Sequence, residues 1–341
     1  MPSANVCGSV RSTPSGYSEV ATSTFLGRSA PPSRSSDHGS AAFLGMLPPM
    51  RMGLFLPDVS PIATPEFLSA YGEAAENAGF SSLWVGEHVV FLDEYASKYP
   101  YSDDGRLGLP PDSGLLEPFA TLSFLAAATS TIRLGTAVCL VPQRNPVYTA
   151  KSVSTLDWLS GGRLDFGVGI GWLREEFEVL HEPFEQRAAR TREYLEVMRA
   201  LWRDDESSYD GDLYKLPPSR MFPKPVQEGG PPIYFGGETD PALRRVAECG
   251  DGWHGFNHLP ESAASHVARL EAMLTDAGRK LADIDVTVCP YLQPVEPSHL
   301  SAYRDAGVDQ VVLTGFAFDP DNARRVLGEL GDAYVGAASA L

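Results

Sequence analysis

From Arg51 onward, short apolar runs alternate with longer amphipathic ones, and no other feature of the chain constrains its fold as tightly. The apolar runs predict strands at Met52–Leu56, Ser82–Val85, Arg133–Val138, Leu164–Val168, Ile233–Phe235, Gly252–Gly255, Val286–Cys289 and Gln310–Leu313. The amphipathic runs between and after them predict helices. Several open on proline after a polar cap (Thr64-Pro65, Asp240-Pro241, Asp319-Pro320), where a missing N–H costs nothing. Several close on glycine, as at Gly79, Gly278 and Gly307. About eight strand–helix pairs in one chain make the signature of a (β/α)8 barrel, also called a TIM barrel. A doubly wound open sheet is the other architecture this alternation allows. Two segments, 91–117 and 207–232, break the rhythm and are expected as long loops on the catalytic face of the barrel.

The stretch Gly161–Phe177 carries the densest chemical signal. A glycine turn leads into the strand Leu164–Val168, then into a loop with Gly169 and Gly171, then into an acid-led helix. Glycines at the carboxyl end of a strand let a flat or phosphorylated ligand approach the backbone. A dinucleotide fingerprint fails on spacing, because counting from Gly169 the third glycine position holds Arg174. The chain then becomes a long helical run, with no acid-tipped strand at the required distance.

The bulk properties exclude several function classes. The 341 residues carry a formal charge of −17, which argues against nucleic acid and anionic membranes as partners. No apolar run reaches the roughly 18 residues of a membrane span. The four cysteines are scattered without a C-x-x-C, so they read neither as a disulfide framework nor as a zinc site, and a cytoplasmic location is expected. Residues 1–49 are rich in Ser, Pro, Gly and Ala without apolar periodicity. They are expected to be a disordered extension before a single barrel domain over 50–341, with Met50 or Met52 as the expected true start.

In a barrel the chemistry sits at the carboxyl ends of strands. His88 follows the second strand and is a candidate acid, base or hydrogen-bond donor; the plain alternative is a loop-capping histidine. Beside it, Glu87 is expected to hold the loop by accepting backbone donors. Arg144 and Asn145, after the third strand, either reach a ligand or cap the helix at Pro146. Glu175 and Glu176 read as first-turn acids that complement the helix dipole. Gly236 and Gly237 precede a helix amino end and can make an anion site; a cap by Thr239 or Asp240 is the alternative. H-E-x-x-H, G-x-S-x-G and Walker motifs are missing, which weakens zinc-protease, α/β-hydrolase and NTPase readings. So does the lack of paired carboxylates or a lysine at strand ends for a barrel hydrolase or aldolase.

Taken together, Met52–Pro57, Ser82–His88, Ile132–Val138, Leu159–Leu164, Gly167–Phe177 and Gly250–Trp253 resemble the luciferase-like family of flavin and deazaflavin oxidoreductases. The Gly-x-Gly-Trp-Leu-x-Glu-Glu-Phe run ending at Phe177 most resembles the branch that uses coenzyme F420. The resemblance implies hydride transfer between F420 and a small organic substrate, with His88 as the active-site histidine. It implies a non-prolyl cis peptide at Ala137–Val138 beneath the cofactor ring. Gly169, Ile170, Gly171 and Trp172 would line the ring edge or tail, Gly236 and Gly237 would approach the cofactor phosphate, and Glu238 would be a further cofactor-binding residue. A homodimer is implied as well. Sugar-phosphate dehydrogenases of the family carry an acid where this chain has Trp172, so an apolar substrate beside Trp84, Trp172, Trp253 and Phe256 is expected instead. The alternatives are an FMN-dependent monooxygenase using O2 and a non-catalytic flavin-binding protein.

Overall fold

The computed structural model describes residues 48–341. The extension expected over 1–49 lies, but for its last two residues, outside the described residues. The strands are β1 (Arg51–Phe55), β2 (Ser82–Val85), β3 (Arg133–Thr136), β4 (Cys139–Leu140), β5 (Leu164–Gly169), β6 (Ser207–Asp210), β7 (Lys215–Ser219), β8 (Ile233–Gly236), β9 (Gly252–Phe256), β10 (Asp285–Cys289) and β11 (Gln310–Thr314). Eight of them form one parallel ring in the order β3-β2-β1-β11-β10-β9-β8-β5, which closes where β5 pairs with β3. This is the (β/α)8 barrel, and closure excludes the open sheet.

The helices α1 (Pro65–Asn77), α2 (Pro118–Ala128), α3 (Pro146–Ser160), α4 (Arg174–Val179), α5 (Arg187–Arg203), α6 (Asp240–Cys249), α7 (Pro260–Asp276), α8 (Leu300–Asp305), α9 (Pro320–Leu330) and α10 (Gly336–Ser339) surround the ring. Their starts follow from capping chemistry. Thr64 accepts from the Phe67 N–H at 3.2 Å, Asn145 from Val147 and Tyr148, and Asp319 from Asn322 at 2.8 Å.

The inside of the cylinder is packed by Trp84, Tyr234, Cys289 and Val312, a cluster apart from the main core. Trp84 fits only because residue 135 has no side chain, since a Cβ there would lie 2.3 Å from the indole. The amino end is plugged by the ion pairs Arg51–Asp285 and Arg133–Asp165. Above the aromatic cluster the carboxyl end is open.

Two sequence expectations need correction here. The predicted strand Arg133–Val138 breaks after Thr136, turns through the cis Ala137–Val138 bond and resumes as β4 against β5. The segment 207–232 is not a catalytic-face loop. It contains the β6–β7 hairpin, which packs on α5 through Tyr209–Glu196 and the Glu193 carboxylate, and continues along α3 through Asp157. The reason is topological. It leaves a helix and enters a strand, whereas the catalytic face is built from segments that leave strands.

Candidate active site

A cavity of about 500 Å³ occupies the carboxyl mouth of the barrel. All ten sequence-predicted site residues line it: His88, Ala137, Val138, Gly169, Ile170, Gly171, Trp172, Gly236, Gly237 and Glu238. Val138 is the point where three strand ends meet. A Cβ on Gly169 would sit 2.4 Å from its side chain, and one on Gly236 would sit 3.0 Å away. The glycines of β5 and β8 therefore let the backbone turn at 137–138 close over the barrel. At Gly171 the backbone is left-handed (φ 76°) and Phe177 fills the space a side chain would need, so only glycine suits the loop.

His88 is held by a carboxylate. Its Nδ1 lies 3.1 Å from Glu176 Oε2, and Glu176 is 0% exposed. The same carboxylate accepts from the Val89 N–H at 2.7 Å and from Gln143 Nε2 at 3.1 Å. Burial alone would raise the Glu176 carboxyl; its hydrogen bonds from His88, Gln143 and Val89 outweigh that and hold it below the usual carboxylate range. An ionised carboxylate only accepts, so the proton on Nδ1 is fixed and Nε2 is the nitrogen left for the cavity. The dipole role read for the two glutamates is thereby corrected. Glu175 accepts from Ala96 and Ser97, Glu176 from Val89 and His88, and together they anchor the loop that follows β2. The six-residue α4 has little dipole to complement, whereas loop N–H groups without sheet partners need acceptors.

Glu87 acts as expected, accepting from the Leu140 N–H and from Arg144, which also bridges to Glu117. Arg144 is thus a structural strut, and Asn145 is the cap of α3. The loop 91–117 does lie on the catalytic face. Its Tyr99 and Tyr101 stand at the cavity wall, Tyr99 tilted against Trp172 and Tyr101 against Phe256. Tyr101 donates to Glu238 at 2.9 Å, and the Phe256 N–H donates to it at 3.2 Å. Burial raises the Glu238 carboxyl despite these donors. Of the four aromatics expected around a substrate, Trp172 and Phe256 line the cavity, while Trp84 and Trp253 do not. Trp84 fills the barrel interior, and Trp253 donates to the Gly237 carbonyl from within the core.

Two cavity residues escape a reading by strand ends because they sit on helices. Arg187 opens α5, and its Nε donates to the Gly171 carbonyl at 3.1 Å. Arg245, on α6, is 9% exposed, and its Nε has no partner among the described residues. Burial lowers both guanidinium pKa values, and neighbouring arginines add to the effect. The nearby acids are engaged elsewhere, Glu185 with Arg174 and Glu248 with Arg192. Beside them α6 begins at Asp240 after Thr239, whose side chain makes no cap; Asp240 itself pairs with Arg269. The buried Arg245, the half-buried Arg187 and an uncapped helix start lie next to Gly236 and Gly237 and give this end of the cavity its positive groups, while the neighbouring Glu238 carboxyl is taken up by Tyr101 and the Phe256 N–H.

The comparisons with known proteins agree with this fold. The family model for luciferase-like monooxygenases matches residues 50–325. An uncharacterized protein of Mycobacterium tuberculosis is 38% identical over 72% of this chain and 86% of its own length. The coenzyme F420-dependent tetrahydromethanopterin reductase of Methanopyrus kandleri superposes with a TM-score of 0.66, at 19% identity, over 85% of this chain and 99% of that one. A monooxygenase from Streptomyces bottropensis superposes with a TM-score of 0.67, at 20% identity, over 84% of this chain and 99% of that one. At these identities the two structures speak for the fold.

Proposed function

Since the chain belongs to the luciferase-like monooxygenase family, we propose that it is an oxidoreductase that uses coenzyme F420 to transfer a hydride to or from a small organic substrate. The observation that carries this reading is the polarity of one cavity. Its cation-bearing end is built from Arg187, Arg245 and the turn at Gly236-Gly237, and its aromatic end from Trp172, Tyr99 and Phe256 beside His88. A phosphorylated tricyclic cofactor needs both. The residues fit such a group: the orphan Nε of Arg245 matches a phosphate oxygen, and the glycines at 169 and 236 make room for the Val138 side chain at the turn beneath a flat ring. The F420-dependent reductase of the same fold supports the choice of cofactor.

When bound, the deazaflavin supplies the hydride chemistry. The protein's share is positioning and one proton. Gly169–Trp172 and the turn at Ala137–Val138 orient the ring. The loop 91–117, pinned by Glu175 and Glu176, keeps water out with Tyr99 and Tyr101. His88 holds or accepts the proton at Nε2, while Glu176 fixes its tautomer and stabilises the imidazolium. A homodimer goes with this reading, supported by the exposed Tyr148, Trp158 and Leu159 of α3, and so does a cytoplasmic location.

The second reading is an FMN-dependent monooxygenase, favoured by the equally good superposition on the S. bottropensis monooxygenase. Titrating the purified protein with F420 and with FMN and following cofactor fluorescence separates them. The F420 reading expects saturable binding of F420 that FMN does not displace. Tighter binding of FMN, with oxygen consumed on reduction, would replace it with the monooxygenase.

A further inference from the structure

Nothing above uses Asp58, although it is the most exceptional polar side chain in the cavity wall. It lies three residues past the end of β1, is 0% exposed and lines the cavity. Among the described residues neither carboxyl oxygen has a hydrogen-bond partner. Nearly all buried polar groups in folded proteins are paired, so two orphan oxygens on one buried carboxyl mark a group kept for a ligand.

We propose that Asp58 is the substrate anchor of the barrel mouth, its carboxyl taking a neutral substrate that carries a carbonyl or hydroxyl oxygen. The inference rests on the oxidoreductase reading of the cavity and adds the class of substrate to it. Its geometry is fixed by main chain. The Asp58 N–H donates to Leu56 O at 3.0 Å, the Leu116 N–H donates to Asp58 O at 3.0 Å, and Val59 bridges to Leu115. The side chain therefore stays where β1 meets the loop 91–117. The same cavity wall carries the apolar Phe55, Leu56, Val59, Leu115 and Phe316. Burial pushes its carboxyl up to about 8; only its own backbone N–H opposes the rise, and no charged side chain acts on it. At neutral pH the group is then an uncharged acid, with one O–H to donate and one carbonyl oxygen to accept. That pair matches a ketone, aldehyde or alcohol oxygen. An ammonium would ionise it instead.

Infrared difference spectroscopy on the full chain, wild type against Asp58→Asn, reads this without cofactor or turnover. The probes are cyclohexanone, cyclohexanol, methylcyclohexane and cyclohexylamine. The wild type should show a protonated-carboxyl band that the variant lacks, lost on alkalinisation with a midpoint near 8. The ketone and the alcohol should shift the band, and the hydrocarbon should not. A midpoint in the ordinary carboxylate range, or a band that only the amine alters, overturns the proposal. In the cofactor-loaded enzyme, Asp58→Ala should raise KM for a carbonyl substrate by about tenfold or more, with cofactor affinity unchanged and partial rescue in Asp58→Asn. An unchanged KM overturns it as well. If neither F420 nor FMN binds, the oxidoreductase reading falls while the infrared result still decides whether Asp58 meets oxygen ligands.

Discussion

That His88 stands at the barrel mouth was readable from sequence, because it lies just past the end of a barrel strand. Its partner was not. Glu176 is 88 positions away and sits where acids commonly complement a helix dipole, so only the closed barrel shows that it meets His88. Arg245 was hidden for a similar reason: a helical arginine in an acidic chain reads as solvated surface until its burial is seen. His88→Ala is expected to cut kcat by about 10²-fold or more, while cofactor affinity, measured by fluorescence titration, stays within about twofold. Glu176→Gln keeps the shape but can present its amide N–H to Nδ1, which frees the tautomer. A smaller loss of kcat is expected, roughly tenfold, with a displaced limb in the pH–rate profile. An unaltered profile would mean that Glu176 only anchors the loop.

At the scale of elements, strand positions and helix caps were legible because burial and capping act locally. The helix starts marked by Thr64-Pro65 and Asp319-Pro320 are those of α1 and α9. The hairpin β6–β7 was missed because Pro217 and Pro218 interrupt its apolar pattern, and the short strands earn their stability from α5 rather than from the core. Which face of the barrel a loop joins is decided by whether it leaves a strand or a helix, and that rule corrects the placement of 207–232 without any side-chain detail. The glycine of β5 offers a direct test. Gly169→Ala puts a methyl into Val138, and in doing so tilts the floor at 137–138. Cofactor affinity is expected to fall by about tenfold or more, with overpacking costing about 1–3 kcal/mol of stability in denaturant melts. Restored affinity in the double variant Gly169→Ala, Val138→Ala would show that the collision is the cause.

For the whole molecule, the two ends of the cylinder divide the labour: ion pairs plug the amino end, and the cavity opens at the carboxyl end. Asp165→Ala strands the largely desolvated Arg133 and is expected to destabilise the fold by about 2–4 kcal/mol in denaturant melts without changing cofactor affinity. Acid should act through buried histidines. Burial pushes His254 and His258 down to about 4, so both are neutral in the native state while the unfolded chain protonates them near the usual histidine value of about 6.5. The unfolded state binds more protons in that window, so stability rises with pH across it and falls as pH drops from about 6.5 towards 4. Each histidine contributes a slope of at most about 1.4 kcal/mol per pH unit. Melting curves of His254→Phe, set beside wild type across this range, should be less steep in pH.

The account depends on a phosphate meeting Arg187 and Arg245 while the ring lies over the glycine turns. Calorimetric titration of wild type and Arg245→Ala with F420, and with the same deazaflavin lacking its phosphate, tests this in one experiment. The account predicts that wild type binds F420 at least about tenfold more tightly than the phosphate-free compound, and that Arg245→Ala erases this difference without weakening the phosphate-free compound further. Equal affinities in wild type, or a phosphate preference that survives in Arg245→Ala, would contradict it.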